Sequence, residues 1–221
     1  MSSIEEKIDI TPHKSLYAKL GQTGYSVGEA IAELVDNAID ARQDERAVTI
    51  KITMNKKENK IIIEDDAKGM DKKTASQSIV LGFSNKQAGQ LGEFGLGLKT
   101  ACSSLGKKFT VNTTPYGSNE GYRIIFDEDE FEQKGEWKEF SIIIEKGFNA
   151  QEGGTKIVIE KLKFNFHNII LQKVEEQLSE RFAPFIANGE ARISINNKWL
   201  KKETLGLVGR KRPLEIKLSN G

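Results

Sequence analysis

Residues 26–42 read SVGEAIAELVDNAIDAR, and the interpretation of this stretch decides the fold. Ser26 followed three residues later by Glu29 is a capping box, so a helix is expected to start there. Ile31, Leu34, Val35 and Ala38 recur at helical spacing and give that helix one apolar face. On the opposite face Glu33, Asn37 and Asp40 stand at i, i+4 and i+7, which puts a carboxylate, an amide and a second carboxylate in one column. Hard divalent cations prefer oxygen ligands, so the column suits Mg²⁺ and a polarised water. A solvated polar helix face is the competing reading, and the stretch alone leaves both open.

Around it, 221 residues are enough for one large domain, or a domain and the start of a second. Lys and Arg number 33 against 32 Asp and Glu, so a net charge of +1 carries no argument for or against nucleic acid. The single cysteine, Cys102, excludes an internal disulfide framework and suits a reducing compartment. His13 and His167 have no second histidine or cysteine at metal-ligand spacing, which argues against zinc. The polar, acidic start does not resemble a signal peptide, and no apolar run approaches membrane-spanning length. A cytoplasmic protein without a membrane partner is expected, or a nuclear one in a eukaryote.

Residues 1–25 read as a polar arm. Val48, Ile50, Ile52 and Met54 alternate with polar residues as a half-buried strand, and residues 60–64 carry a second. That strand runs into Glu64-Asp65-Asp66-Ala67-Lys68-Gly69-Met70, an acidic strand end where glycine allows a close turn. Asp71 caps a helix expected to reach about Leu81, with Ala75, Ile79 and also Val80 inward. Residues 82–97, GFSNKQAGQLGEFGLG, hold five glycines and read as a mobile cover leading into a helix start at Leu98-Lys99, where free N–H groups favour an anion. Strands are expected over 109–113, 122–126, 140–145 and 155–160, with residues 127–132 as a solvated acidic loop. A helix over 168–182 should stop at Pro184, with Ile169, Val174 and Leu178 on one side. Residues 192–200 form a hairpin turning at Asn196-Asn197, before a basic linker at 201–221.

Neither common phosphate cradle fits the glycine segment. Gly92 and Gly97 have P-loop separation, but Leu98 displaces Lys99 from its register and no strand precedes the loop. The order Gly92, Gly95, Gly97 also reverses the Rossmann spacing.

The joint pattern does fit a family. Glu33-x-x-x-Asn37-Ala-x-Asp40, Asp65-x-Ala67-x-Gly69-Met70, Gly92-x-x-Gly95-Leu96-Gly97-Leu-Lys99 and Gly154-Thr155 resemble, in that order, the GHKL ATP-binding domain of DNA gyrase B, the ninety-kilodalton heat-shock chaperone, histidine kinases and MutL. The wording AIAELVDNAIDA, DDAKGM and GQLGEFGLGLK looks closest to the microrchidia (MORC) ATPases and prokaryotic relatives. The resemblance implies an α+β two-layer sandwich, a mixed, mainly antiparallel sheet covered on one face by helices, over residues 26–200. It implies ATP and Mg²⁺ as ligands, with Glu33 as general base, Asn37 as metal holder and Asp40 as support. Asp65 would take the adenine amino group, with Thr155 completing the contact and Gly69 and Met70 beside it. Gly92, Gly95, Leu96 and Gly97 would form the lid, Lys99 would meet the phosphates, and Ser84 and Lys86 match a Ser/Lys lid element more loosely. Ala67 stands where the family usually has glycine, which puts the geometry of that loop in question. ATP hydrolysis with nucleotide-driven homodimerisation, and DNA as a partner of a longer protein, are the implied functions. An ATP-gated binding module with negligible turnover and a chaperone-type ATPase are the alternatives.

Overall fold

The computed structural model describes residues 24–44, 46–80, 97–134 and 141–201, with isolated positions between 15 and 22. The polar arm, most of the glycine-rich segment with Ser84, Lys86, Gly92, Gly95 and Leu96, and the basic linker lie outside the described residues. Alternating residues build one eight-stranded sheet: β1 (Val48–Asn55), β2 (Lys60–Asp65), β3 (Gly106–Thr114), β4 (Glu120–Asp127), β5 (Ile142–Lys146), β6 (Gly154–Leu162), β7 (Ala191–Ile195) and β8 (Lys198–Trp199). Their order is β5-β4-β3-β6-β2-β1-β7-β8. Every pairing is antiparallel except that of β1 with β7, so the sheet is mixed, as the sequence implied.

One face of this sheet is apolar. Ile50, Ile52, Ile61, Ile63, Phe109, Val111, Ile124, Phe126, Ile159 and Ile193 are buried there, beneath α1 (Val27–Asp40), α3 (Gly97–Leu105) and α5 (Asn168–Ala187). The other face carries cross-strand polar pairs, including Lys156 with Glu64 at 3.0 Å. There Arg123 also donates to Asn112 at 2.9 Å and pairs with Glu145. That division is what a two-layer sandwich requires of a sheet with one wet side.

The capping box is present: Glu29 N–H donates to Ser26 Oγ at 3.2 Å, and Ser26 N–H donates to Glu29 Oε2 at 2.7 Å. Helix α1 is buried more widely than one stripe, since Gly28, Ala30, Ala32 and Ile39 are covered as well. Its small residues let α5 approach closely: a Cβ on Gly28 would fall 1.7 Å from Gln177 Oε1. Asn196 and Asn197 turn the final hairpin with φ of 48° and 65°, the left-handed values a two-residue turn demands.

Four expectations need correction. The helix after Asp71, α2 (Lys72–Ser78), ends at Ile79, short of Leu81, so Val80 lies past its end and is exposed rather than inward. Residues 127–132 are no solvated loop: α4 (Glu128–Lys134) begins there. Asp127 and Glu128 are buried because Lys161 and Lys163, at the end of β6, neutralise them at 3.0 and 2.5 Å. Helix α5 runs through Pro184 to Ala187, and the N–H that proline lacks costs only the partner of the exposed Glu180 carbonyl. Ile169 is 67% exposed, so the inner side of α5 is Val174, Leu178 and Phe182 instead.

Candidate nucleotide site

The acidic strand end is assembled by register. Asp65 on β2 stands directly opposite Thr155 on β6, and Thr155 N–H and Ala67 N–H both donate to Asp65 Oδ1 at 3.1 Å. Burial is the leading cause that raises the Asp65 carboxyl from 3.8 to about 6, against those two hydrogen bonds. The following turn is tied down, because Lys68 N–H donates to Ala41 O at 2.9 Å at the end of α1. Thr49 N–H donates to Asp66 Oδ1 at 2.6 Å from the other side.

Gly69 has φ of +66°, and a Cβ there would lie 2.0 Å from Thr114 O. Both the left-handed backbone and the close approach exclude a side chain. Ala67 is buried and is not among the residues of positive φ, so a methyl fits at that position. Gly69→Ala is therefore expected to destabilise by about 2 to 3 kcal/mol and to lower Tm by roughly 4 to 12 °C; an unchanged melting curve would refute this account of the turn.

Thr113 on β3 is a site residue that the sequence reading missed. Its hydroxyl accepts from Met70 N–H at 2.8 Å, donates to Gly154 O at 3.2 Å and meets Thr155 Oγ1 at 3.1 Å. A hydroxyl has one proton and two lone pairs, so with the Thr113 proton given to Gly154 O, Thr155 is the donor in that last bond and keeps its own lone pairs for another partner. Nothing local in the sequence marks Thr113; only the β3–β6 register, which sets it opposite Thr155, does. A cavity of about 390 Å³ opens here, with Asp65, Thr113, Tyr122, Phe148, Gly154 and Thr155 in its walls, within the roughly 300 to 1,000 Å³ of small-molecule pockets.

A second group gathers at the start of α3. Glu33 on α1 is half-buried, and its Oε2 lies 3.2 Å from where a Cβ on Gly97 would stand. Lys99, two residues into α3, is buried, and desolvation pulls its ammonium down from 10.5 to about 8. Asn37 is half-buried one turn beyond Glu33, while Asp40 at the helix end is exposed. Glu33, Asn37 and Lys99 are not in the walls of the 390 Å³ cavity, so the described residues form two clusters. One is made of acceptors at the strand ends, the other of a carboxylate and a lysine at a helix start.

A family match spans both clusters. The histidine kinase-, DNA gyrase B-, and HSP90-like ATPase family matches residues 25–155, more than half of the chain. The chain belongs to this family. Within it, the chain is similar to microrchidia proteins, as the motif wording implied. It is 33% identical over 110 residues to Protein MICRORCHIDIA 5 of Arabidopsis thaliana, covering 47% of this chain and 15% of that protein. It is 38% identical over 88 residues to ATPase morc-1 of Caenorhabditis elegans, covering 40% and 10%. A longer match, 26% over 186 residues, joins it to Protein MICRORCHIDIA 6 of Arabidopsis thaliana, covering 79% and 28%. The chain thus spans a small part of each relative's length. Among the described residues of this ATPase domain, no helix is long and apolar enough to cross a membrane.

Proposed function

We propose that this domain binds ATP with the adenine at Asp65 and the phosphates toward the start of α3, and hydrolyses it in the presence of Mg²⁺. The observation that carries the reading is Asp65. Its Oδ1 takes both backbone hydrogen bonds, and Asp65 is one of the residues that line a space of ligand size. An amino group of a planar base is the complementary donor. Thr155, with its proton engaged by Thr113, accepts from an ordered water beside the base. Gly69 brings backbone close to the ring, and Met70 packs next to it.

Lys99 and the N-terminus of α3 supply positive potential for the phosphates. Glu33 Oε2, facing the same helix start, takes the proton of the attacking water. Among the described residues no group of three or more His, Cys, Asp or Glu gathers as a metal cage. An arrangement in which Asn37 gives one amide oxygen, and phosphates and water give the rest, fits Mg²⁺. When bound, the cation neutralises charge on the phosphate oxygens. Asp40 supports the polar end of α1, and the glycine-rich segment with Ser84, Lys86, Gly92, Gly95, Leu96 and Gly97 covers the nucleotide, on the sequence argument alone. Residues 26–200 act as the nucleotide-binding unit. Nucleotide-driven homodimerisation, and DNA as a client of a longer protein, complete the reading. Phosphate release that requires Mg²⁺ and stops with EDTA tests the chemistry, and sizing with a nonhydrolysable ATP analogue tests the dimer. Phosphate release no faster than in a protein-free control would defeat the enzyme reading.

The two shifted groups predict the pH response of binding. The folded protein holds the Asp65 proton more tightly than an unfolded chain, with a pKa raised from 3.8 to about 6. Stability from this group is therefore full below about pH 4 and is lost as pH rises through about 6. Adenine, a donor, prefers the ionised carboxylate, so affinity should fall as pH drops below about 6, by about tenfold for one unit. Lys99, lowered to about 8, loses its charge above that pH, so ATP affinity should also fall on the alkaline side. Adenosine, which has no phosphate, should show the acidic limb alone. Identical alkaline limbs for ATP and adenosine would remove Lys99 from the phosphate site.

A further inference from the structure

Arg181, in the last third of α5, reaches across to α1. Its guanidinium contacts Asp36 closely and lies 3.8 Å from Glu33 Oε1. Glu33 and Asp36 are three residues apart on one helix and so share a face. Both carboxylates are largely covered, 21% and 20% exposed, which makes a shared cation the natural counter-charge. The guanidinium is held in turn, by Asp36 and by the face of the buried Phe182, whose ring centre is 5.8 Å away. The two oxygens of Glu33 therefore look in different directions: Oε1 to the cation on α5, Oε2 to Gly97 at the start of α3.

We propose that Arg181 is a positioning residue, which holds Glu33 by Oε1 and thereby fixes Oε2 toward the phosphate end of the site. The proposal rests on Glu33 as general base. A glutamate anchored only by its helix samples several rotamers, and selecting one costs free energy that reappears in the barrier. Arg181 sets that orientation before nucleotide arrives. One terminal nitrogen, Nη2, makes both contacts, a hydrogen bond to Asp36 and an ion pair with Glu33, so a single guanidinium serves two carboxylates.

The test compares Arg181→Ala, Arg181→Gln and Arg181→Lys with the parent protein, each also combined with Glu33→Ala. Turnover, ATP affinity and thermal melting are measured on every variant. Loss of positioning should lower kcat about tenfold and leave KM within about twofold. Arg181→Lys should recover part of the rate, and Arg181→Gln shows the effect in a side chain of similar bulk should the alanine variant not fold. In the Glu33→Ala background the same substitutions should have no further effect on the residual rate. An equal loss in both backgrounds, a KM that rises with unchanged kcat, or an unaltered rate would overturn the positioning role. Full turnover by Glu33→Ala alone would instead overturn the general-base reading, and this proposal with it.

Discussion

Glu33→Ala is expected to lower phosphate release by about 10²- to 10⁴-fold while ATP affinity stays within about twofold. The split follows from where the carboxylate sits. It is on the side wall of α1 facing the start of α3, outside the cavity that holds Asp65 and Thr155. Its removal takes away the proton acceptor and leaves the base pocket intact. Alanine is the strongest helix former, and Asp36 still neutralises Arg181, so no cation is left buried without a partner. Melting should change little. Phosphate release and equilibrium binding on the same preparation check both halves of the expectation. Wild-type turnover by the variant would mean that another group accepts the proton, and equal loss of binding and turnover would mean that Glu33 builds the site instead of acting in it.

Asp65→Ala should give the opposite division. Two N–H groups, those of Ala67 and Thr155, lose their acceptor, and each unmet buried donor costs about 1 to 3 kcal/mol. Adenine loses its partner as well, which corresponds to roughly 5- to 150-fold in affinity. Stability and binding then fall together, and that alone does not separate them. Asp65→Asn does. An amide oxygen at the Oδ1 position still accepts from both backbone groups, so Tm should largely recover. The amide NH₂ now faces the adenine amino group, donor against donor, so binding should stay weak. Chemical denaturation and adenosine titration of the two variants provide the check. Normal adenosine affinity in Asp65→Asn would place the base elsewhere.

Much of the architecture was legible locally. Ser26 and Glu29 announced the start of α1, the Val48–Asn55 alternation announced β1, and paired asparagines announced the last hairpin. Short-range chemistry governs these features, so short-range sequence contains them. The failures share the opposite cause. Residues 127–132 look like a loop because Lys161 and Lys163, which neutralise Asp127 and Glu128, stand at and just past the end of β6, more than thirty positions away. Pro184 reads as a stop by local propensity, which does not contain the tertiary packing that carries α5 through it. Glu33, Asn37, Asp65, Gly69 and Thr155 are proposed for the site from spaced motifs. Thr113 and Arg181 are not, since their contacts depend on strand register and on the docking of α5 against α1. Ala67, where the resemblance implied glycine, needed a backbone angle that no sequence displays.

The parallel pairing of β1 with β7 has a consequence for biosynthesis. Val48 pairs with Ala191, and Met54 N–H donates to Asn196 across 142 positions of sequence. As the chain leaves the ribosome at about 5 to 20 residues per second, β1 and β2 can form their hairpin early. One edge of β1 must then wait many seconds for its neighbour. During that interval its unmet backbone groups, beside Ile50 and Ile52, are an adhesive border. The nascent domain should need chaperone protection until β7 emerges, and stalling synthesis before residue 191 should yield ribosome-bound chains that proteases cut readily.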